Sequence, residues 1–263
     1  MGKLRILVSL AGASARTEAA SRANLWIAVL HSIVDMGTGV LGLAVLFGRV
    51  GSVRGWDIAS TLALLGVYTI VGAVRDLCIG PSLESLSGAG GEVQTGRFDY
   101  VLLRPVPAQF LASFRVWKPL AALDLFLGLG VLAAAMVRLG TVLTAAGILS
   151  FVATLAAGIV VLYSMLLALT SLVFRSPGFL FTWAFDAFFQ TARYPTGIYP
   201  GWLRFVLTWV VPVGITVTVP AEALTRGLPA WAAPACLALA AALLAGSSLL
   251  FHRGLRRYAG ASG

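Results

Sequence analysis

The chain has 263 residues, of which 59% are hydrophobic and only 11% charged, with a mean hydropathy of +0.93 and a formal net charge of +9. Soluble domains carry roughly 25% charged residues, so this composition excludes a water-soluble globular protein and places the chain in a bilayer. The positive surplus is no sign of a nucleic-acid partner, because it is distributed like the loop charge of a membrane protein.

The first residues, MGKLRILVSLAGASA, combine a basic start with a short apolar run. A signal peptide needs an apolar core of about 7 to 15 residues. Here Ile6 to Leu10 provides five, one of them a serine. Leu4, Leu7 and Leu10 recur at helical spacing beside Lys3 and Arg5, which predicts an amphipathic helix lying in the interface over residues 1–23.

Six apolar segments follow, at about 24–47, 56–78, 118–138, 142–172, 178–193 and 229–251. Arg138 and Arg175 enclose 36 uncharged residues, and Arg226 and His252 enclose 25. About 20 apolar residues cross a bilayer as helix. The runs are apolar on all sides, which excludes the alternation of a membrane barrel. The predicted fold is therefore all-α and integral to the membrane, with six transmembrane helices in a single domain, 1–263. An even number of spans puts both termini on one side. With that side inside, the inner segments hold 13 basic residues and the outer ones six, Arg193 among them. That bias predicts cytoplasmic termini, and Trp26, Trp56, Trp117 and Trp231 fall at predicted span edges.

Several spans carry polar lines, and a charge at membrane depth is a functional hypothesis by default. His31, Asp35, Thr38 and Gly42 form a stripe on the first span, where a His31–Asp35 pair would soften the cost of burial. On the second span Thr61, Tyr68, Gly72 and Arg75 share a side. On the fifth, Thr182, Asp186, Gln190 and Arg193 lie on one continuous face. Asp124 on the third span needs a partner that the sequence does not name. Gly128, Gly130 and the row Ala146, Ser150, Thr154 and Gly158 suit close helix packing.

Residues 79–117 form the one long loop, predicted to be cytoplasmic. Phe98, Tyr100, Val101, Leu102 and Leu103 are too apolar for a solvated tail. A short helix after Gly96 would present Phe98, Val101 and Leu102 on one side until Pro105 and Pro107 stop it. Gly91 to Gly96 has phosphate-loop spacing, but Arg97 and Phe98 stand where lysine and a hydroxyl residue are needed, so the chain itself binds no ATP. Cys78 and Cys236 have no metal-site spacing. Residues 203–220 are apolar but interrupted by Pro212 and Gly214. They predict a re-entrant hairpin between spans five and six, within an external region at 194–228.

The stretch GRFDYVLLRPVPAQF resembles the G-x-(hydrophobic)-D-x-x-L-x-R-P motif in the cytoplasmic loop of type-2 ABC transporter permeases. YPTGIYPGWLRFVLTWVVPVGITVTVPAEAL is similar to a second signature of bacterial permeases encoded in pairs beside one ATPase. The resemblance covers nearly the whole chain. It implies a non-catalytic membrane subunit in the bacterial inner membrane, an exporter of a hydrophobic or amphipathic substrate. ATP and magnesium would be bound by two partner ATPase subunits, and a second permease subunit, identical or paralogous, would complete the path among membrane lipids. The matching motif implies that Gly96, Arg97, Phe98, Asp99, Arg104 and Pro105 form the ATPase-coupling region. It also implies that the second and fifth spans line the path, through Thr61, Tyr68, Arg75, Thr182, Asp186 and Gln190. The competing expectations are an ion-coupled carrier using Asp35 and Asp186, and a membrane-embedded lipid-handling enzyme. The scattered acids and the widely separated His31 and His252 give the enzyme little support.

Overall fold

The structure is a computed structural model that describes residues 22–88, 90–140, 144–176 and 182–258, together with Arg5, Leu7 and residues 9–14. Among the described residues the chain is helical, with a single isolated strand-like bridge between Val53 and Trp56. Residues 9–14 are helical, and most of the predicted interfacial segment lies outside the described residues.

The first long helix, α1, spans Arg22–Phe47. A tight turn follows, in which Arg54 (φ 49°) and Gly55 (φ 81°) both take left-handed backbone, as a two-residue hairpin turn requires. Asp57 then caps α2. Its carboxylate accepts the Ser60 amide at 3.0 Å, and the Ser60 hydroxyl accepts the Asp57 amide at 3.1 Å. The Ser60 hydroxyl also donates to the Asp57 carboxylate, and this bond first, with the Ser60 amide, holds the carboxyl below its ordinary range. α2 covers Ile58–Glu84, with a π turn at Arg75–Ile79 inside it. Residues 85–118 contain two short helices, α3 (Asp99–Leu102) and α4 (Ala108–Phe114). Two antiparallel spans follow, α5 (Ala122–Leu139) and α6 (Ala145–Val173).

The expected fifth span appears as α7 (Thr182–Thr191), only ten residues long. At 1.5 Å per residue that is about 15 Å, half a bilayer. Residues 177–181, where the expected span begins, lie outside the described residues. Among the described residues, five helices are long and apolar enough to cross a membrane: α1, α2, α5 with its preceding 3-10 turn, α6, and the last helix α10 (Ala232–Arg257).

The segment between α7 and α10 is a broken helical hairpin. One arm joins α8 (Gly201–Phe205) to a π turn at Val206–Val210. The other joins a π turn at Gly214–Thr218 to α9 (Val219–Thr225). Between them Val211 leaves the helical region (φ −122°, ψ 85°), and Pro212 follows it. The second arm lies along α6. A Cβ on Gly158 would sit 2.7 Å from the Thr216 carbonyl oxygen, and one on Gly147 would sit 3.9 Å from that of Ala223. Those two positions on α6 are 11 residues apart, so the hairpin reaches about 16 Å into the bundle.

The two ends of the bundle are tied differently. At one end Arg226, just after α9, donates to the Gly55 carbonyl and stacks 4.3 Å over Trp56. Trp56 is therefore buried under an arginine, not displayed at the rim as expected. At the other end Phe98, Phe174, Phe251 and Tyr258 form one aromatic cluster that holds the 85–118 loop to the last turns of α6 and α10. The Ser82 hydroxyl accepts the Val116 amide at 2.8 Å, and the Lys118 amide donates to the Leu77 carbonyl at 2.9 Å, closing the loop back on α2.

α2 packs hardest against α5. A Cβ on Gly66 would lie 2.8 Å from the Leu132 amide nitrogen, and one on Gly128 would lie 3.0 Å from that of Ile70. The two backbones therefore touch, as small residues allow in membranes. Gly130, grouped with Gly128 in the sequence, has nothing within 4 Å, because it faces away from the contact. Gly128→Leu should lower the thermal midpoint of the detergent-purified chain by the equivalent of about 1–3 kcal/mol, the cost of overpacking. Gly130→Leu should leave that midpoint unchanged.

Candidate functional site

A cavity of about 880 Å³ opens between α1, α2, the start of α5, and α7 with Arg193 and Tyr194 just after it. α1 contributes His31 and Asp35, α2 contributes Tyr68, Gly72, Arg75 and Asp76, and α7 contributes Asp186, Phe189 and Gln190. Glu84, Lys118 and Asp124 line the end nearest the 85–118 loop. Tyr68 and Glu84 are 16 positions apart on one helix, so the lining extends about 24 Å along α2.

Two guanidinium groups organise it. Arg75 is 8% exposed and meets three carboxylates: Glu84 at 3.0 Å, Asp186 at 2.6 Å and Asp76 at 3.7 Å. The Glu84 contact is a hydrogen bond, whereas the Asp186 contact is an ion pair off the line of one. Arg75 also lies 5.1 Å from the centroid of Phe185. The π turn begins at this residue, and such turns are frequent at functional positions. Arg193 donates to both Asp35 oxygens, at 2.6 and 2.8 Å, and covers the Tyr68 ring at 5.2 Å. Tyr68 in turn stacks on Phe189 with centroids 5.0 Å apart. A charge taken from water needs such pairing, because desolvation alone is strongly unfavourable.

Two sequence-based expectations change here. Asp35 pairs with Arg193 and not with His31, because one guanidinium nitrogen, Nη2, reaches both carboxylate oxygens from across the bundle. Arg193 consequently does not belong with the outer loop charges: it lies beside the middle of α1 and α2. Of the predicted path residues, Tyr68, Arg75, Asp186 and Gln190 line the cavity together. Thr61 does not, since its hydroxyl donates to the Asp57 carbonyl at 2.8 Å inside α2. The side chain of Thr182 lies outside the described residues. Asp76, Glu84 and Lys118 escaped the sequence reading because they sit where α2 runs into the loop. Asp124, left without a named partner, opens on the cavity and pairs with no basic side chain among the described residues. No group of three His, Cys, Asp or Glu side chains among them could hold a metal ion.

The second candidate region is the loop. Gly96 takes φ 72°, a left-handed turn that sends the chain into α3. Arg97 donates to the Thr95 hydroxyl at 3.2 Å and to the Gly90 carbonyl at 3.1 Å. Phe98 is fully buried in the aromatic cluster and Val101 is buried too, so two residues of the expected apolar face turn inward, while the third, Leu102, is exposed. The outward apolar residues are Tyr100, 73% exposed, and Leu103, 81% exposed, followed by exposed Arg104 and Pro105. No ion pair joins Asp99 to Arg104 among the described residues. Asp99 instead lies against Tyr258, where partial burial and the neighbouring carboxylate push the phenol above its ordinary value. Arg115 and Glu92 form an ion pair beneath the loop.

Residues 33–262 match the family model described as ABC-2 family transporter protein, and the chain belongs to that family. No curated protein and no solved structure matches it. The chain is thus a multi-pass integral membrane component of a type-2 ABC transporter, a class in which this component is generally non-catalytic.

The Asp35–Arg193 contact is measurable as a coupling between α1 and the segment after α7. A double-mutant cycle with Asp35→Asn and Arg193→Gln should give a coupling of about 1 kcal/mol in unfolding stability, within the range of interhelical polar contacts in membranes. A coupling near zero would contradict the pairing.

Proposed function

We propose that the chain is the permease subunit of an ATP-driven exporter in a bacterial inner membrane, moved by separate ATPase subunits that bind the 85–118 loop. Both termini lie in the cytoplasm, and a second permease subunit, identical or paralogous, completes the path. The substrate is hydrophobic or amphipathic. The reading rests on family membership together with one observation: the loop is a folded platform, locked to α2, α6 and α10, that turns Tyr100 and Leu103 outward.

Six crossings are consistent with how the ends are tied. The loop, the end of α6 and the end of α10 meet in one aromatic cluster, whereas Arg226 meets the α1–α2 turn at the opposite end. The chain from 174 to 226 therefore makes one net passage, using α7 and the broken hairpin in place of a continuous rod. On this topology the hairpin dips in from the outer face.

In the transport cycle, ATP binding by the partners draws them together and displaces the loop. Phe98 acts as a positioning residue: it carries that displacement into α6 and α10 through Phe174 and Tyr258. Gly96 sets the turn, Arg97 and Asp99 hold the loop's shape, and Tyr100, Leu103, Arg104 and Pro105 make the contact. Glu84 links the root of the loop to Arg75, and Arg75 to Asp186, so the same displacement reaches the cavity. Tyr68, Arg75, Asp186 and Gln190 form part of the path on this reading. The ion-coupled alternative loses support, since each of its carboxylates, Asp35 and Asp186, is held by an arginine.

Replacing Tyr100 and Leu103 together by Asp should abolish co-purification of the partner ATPase subunit while leaving the chain's level in membranes unchanged. Undiminished ATPase capture by that double variant would refute the docking surface.

A further inference from the structure

The cavity carries more negative than positive charge. Its lining holds five carboxylates, Asp35, Asp76, Glu84, Asp124 and Asp186, against the three cations Arg75, Lys118 and Arg193. Arg193 neutralises Asp35, and Arg75 is shared by Asp76, Glu84 and Asp186. One guanidinium cannot neutralise three carboxylates, and Asp124 meets no cation among the described residues within ion-pair distance. The surplus of two carboxylates over cations in the lining gives the cavity a field that favours a positive guest over a negative one.

The walls point to what enters. Tyr68, Phe189 and Tyr194 line the same space, and aromatic faces attract cations through the ring quadrupole. The chain already uses this interaction twice beside the cavity, with Arg193 over Tyr68 and Arg75 over Phe185. A volume of about 880 Å³ falls within the range of small-molecule sites, roughly 300–1,000 Å³. Surplus carboxylate, aromatic walls and apolar surroundings together match the headgroup of a lipophilic organic cation.

We propose that this cavity is a binding site for a cationic amphiphile, with Asp124 as the carboxylate that takes the charge and Tyr68, Phe189 and Tyr194 among the residues of the same cavity wall. The inference rests on the transporter reading for its meaning as a substrate site, but the site itself requires neither ATP nor a partner.

The test uses two probes of nearly equal shape and apolarity and opposite charge, tetraphenylphosphonium and tetraphenylborate, bound to the full chain in nanodiscs of uncharged lipid without any ATPase subunit. The phosphonium should bind at least about tenfold more tightly, the equivalent of 1.4 kcal/mol. Asp124→Asn should reduce that preference about tenfold and Asp124→Glu should retain it. Ala28→Trp, which fills the cavity from loosely packed α1, should abolish phosphonium binding and serves as the test if Asp124→Asn does not fold. Equal affinity for the two probes, no phosphonium binding, or a preference untouched by Asp124→Asn or by Ala28→Trp would overturn the assignment. Any of these would leave the coupling of the loop to its ATPase standing, whereas failure of the ATPase to co-purify with the unaltered chain would remove the transporter reading and leave the binding result intact.

Discussion

The arrangement of this molecule depends on burying arginine side chains among the apolar helices of a membrane bundle. Arg75 is always charged and can be buried only because Glu84, Asp186 and Asp76 surround it, and those carboxylates come from two different parts of the chain. Breaking such a cluster by removing one partner leaves an uncompensated charge, so its members are tied to one another more firmly than apolar packing would tie them. The cluster therefore fixes where α7 stands relative to α2. Arg193 does the same further along, joining the end of α7 to α1 through Asp35 and to α2 through Tyr68.

This explains how a helix of ten residues finds its place. At ten residues α7 has little length to hold it, and its exposed Trp183 and Phe188 show that part of its surface meets nothing among the described residues. Its register comes from two arginine contacts and from the stack of Phe185, Phe189 and Tyr68. The cavity is the space left between α7 and α1, and its polarity follows from the groups needed to hold α7 there. The loop end is also tied to this cluster, because Glu84 sits where α2 gives way to residues 85–118. In the proposed transport cycle, movement of the loop and rearrangement of the cavity charges are one mechanical event.

Much of the helical plan was legible from apolar run length, which identifies α1, α2, α5, α6 and α10 because nothing else accommodates 20 or more apolar residues in a row. The break at Pro212 was also legible, since proline ends a helix wherever it falls in an interior. What could not be read were the partners. Asp35 and Arg193 are 158 positions apart, and no spacing rule links them; His31, four residues away, was the only local alternative. The partners of Phe98 were hidden for a similar reason. Its true neighbours, Phe174, Phe251 and Tyr258, arrive from helices much later in the chain, and only the fold turns it inward. Gly66, as close to α5 as Gly128 is to α2, gave no pattern of its own.

The central claim is that a charged, hydrated space lies inside the bundle beside α7. In a background with Cys78 and Cys236 replaced, Gln190→Cys on the cavity wall should react with a hydrophilic, membrane-impermeant thiol reagent applied from the loop side of inverted vesicles. Leu129→Cys, outward on α5 and 48% exposed, should remain unreactive because that surface meets lipid. Failure of Gln190→Cys to react, or equal reaction at both positions, would contradict the account.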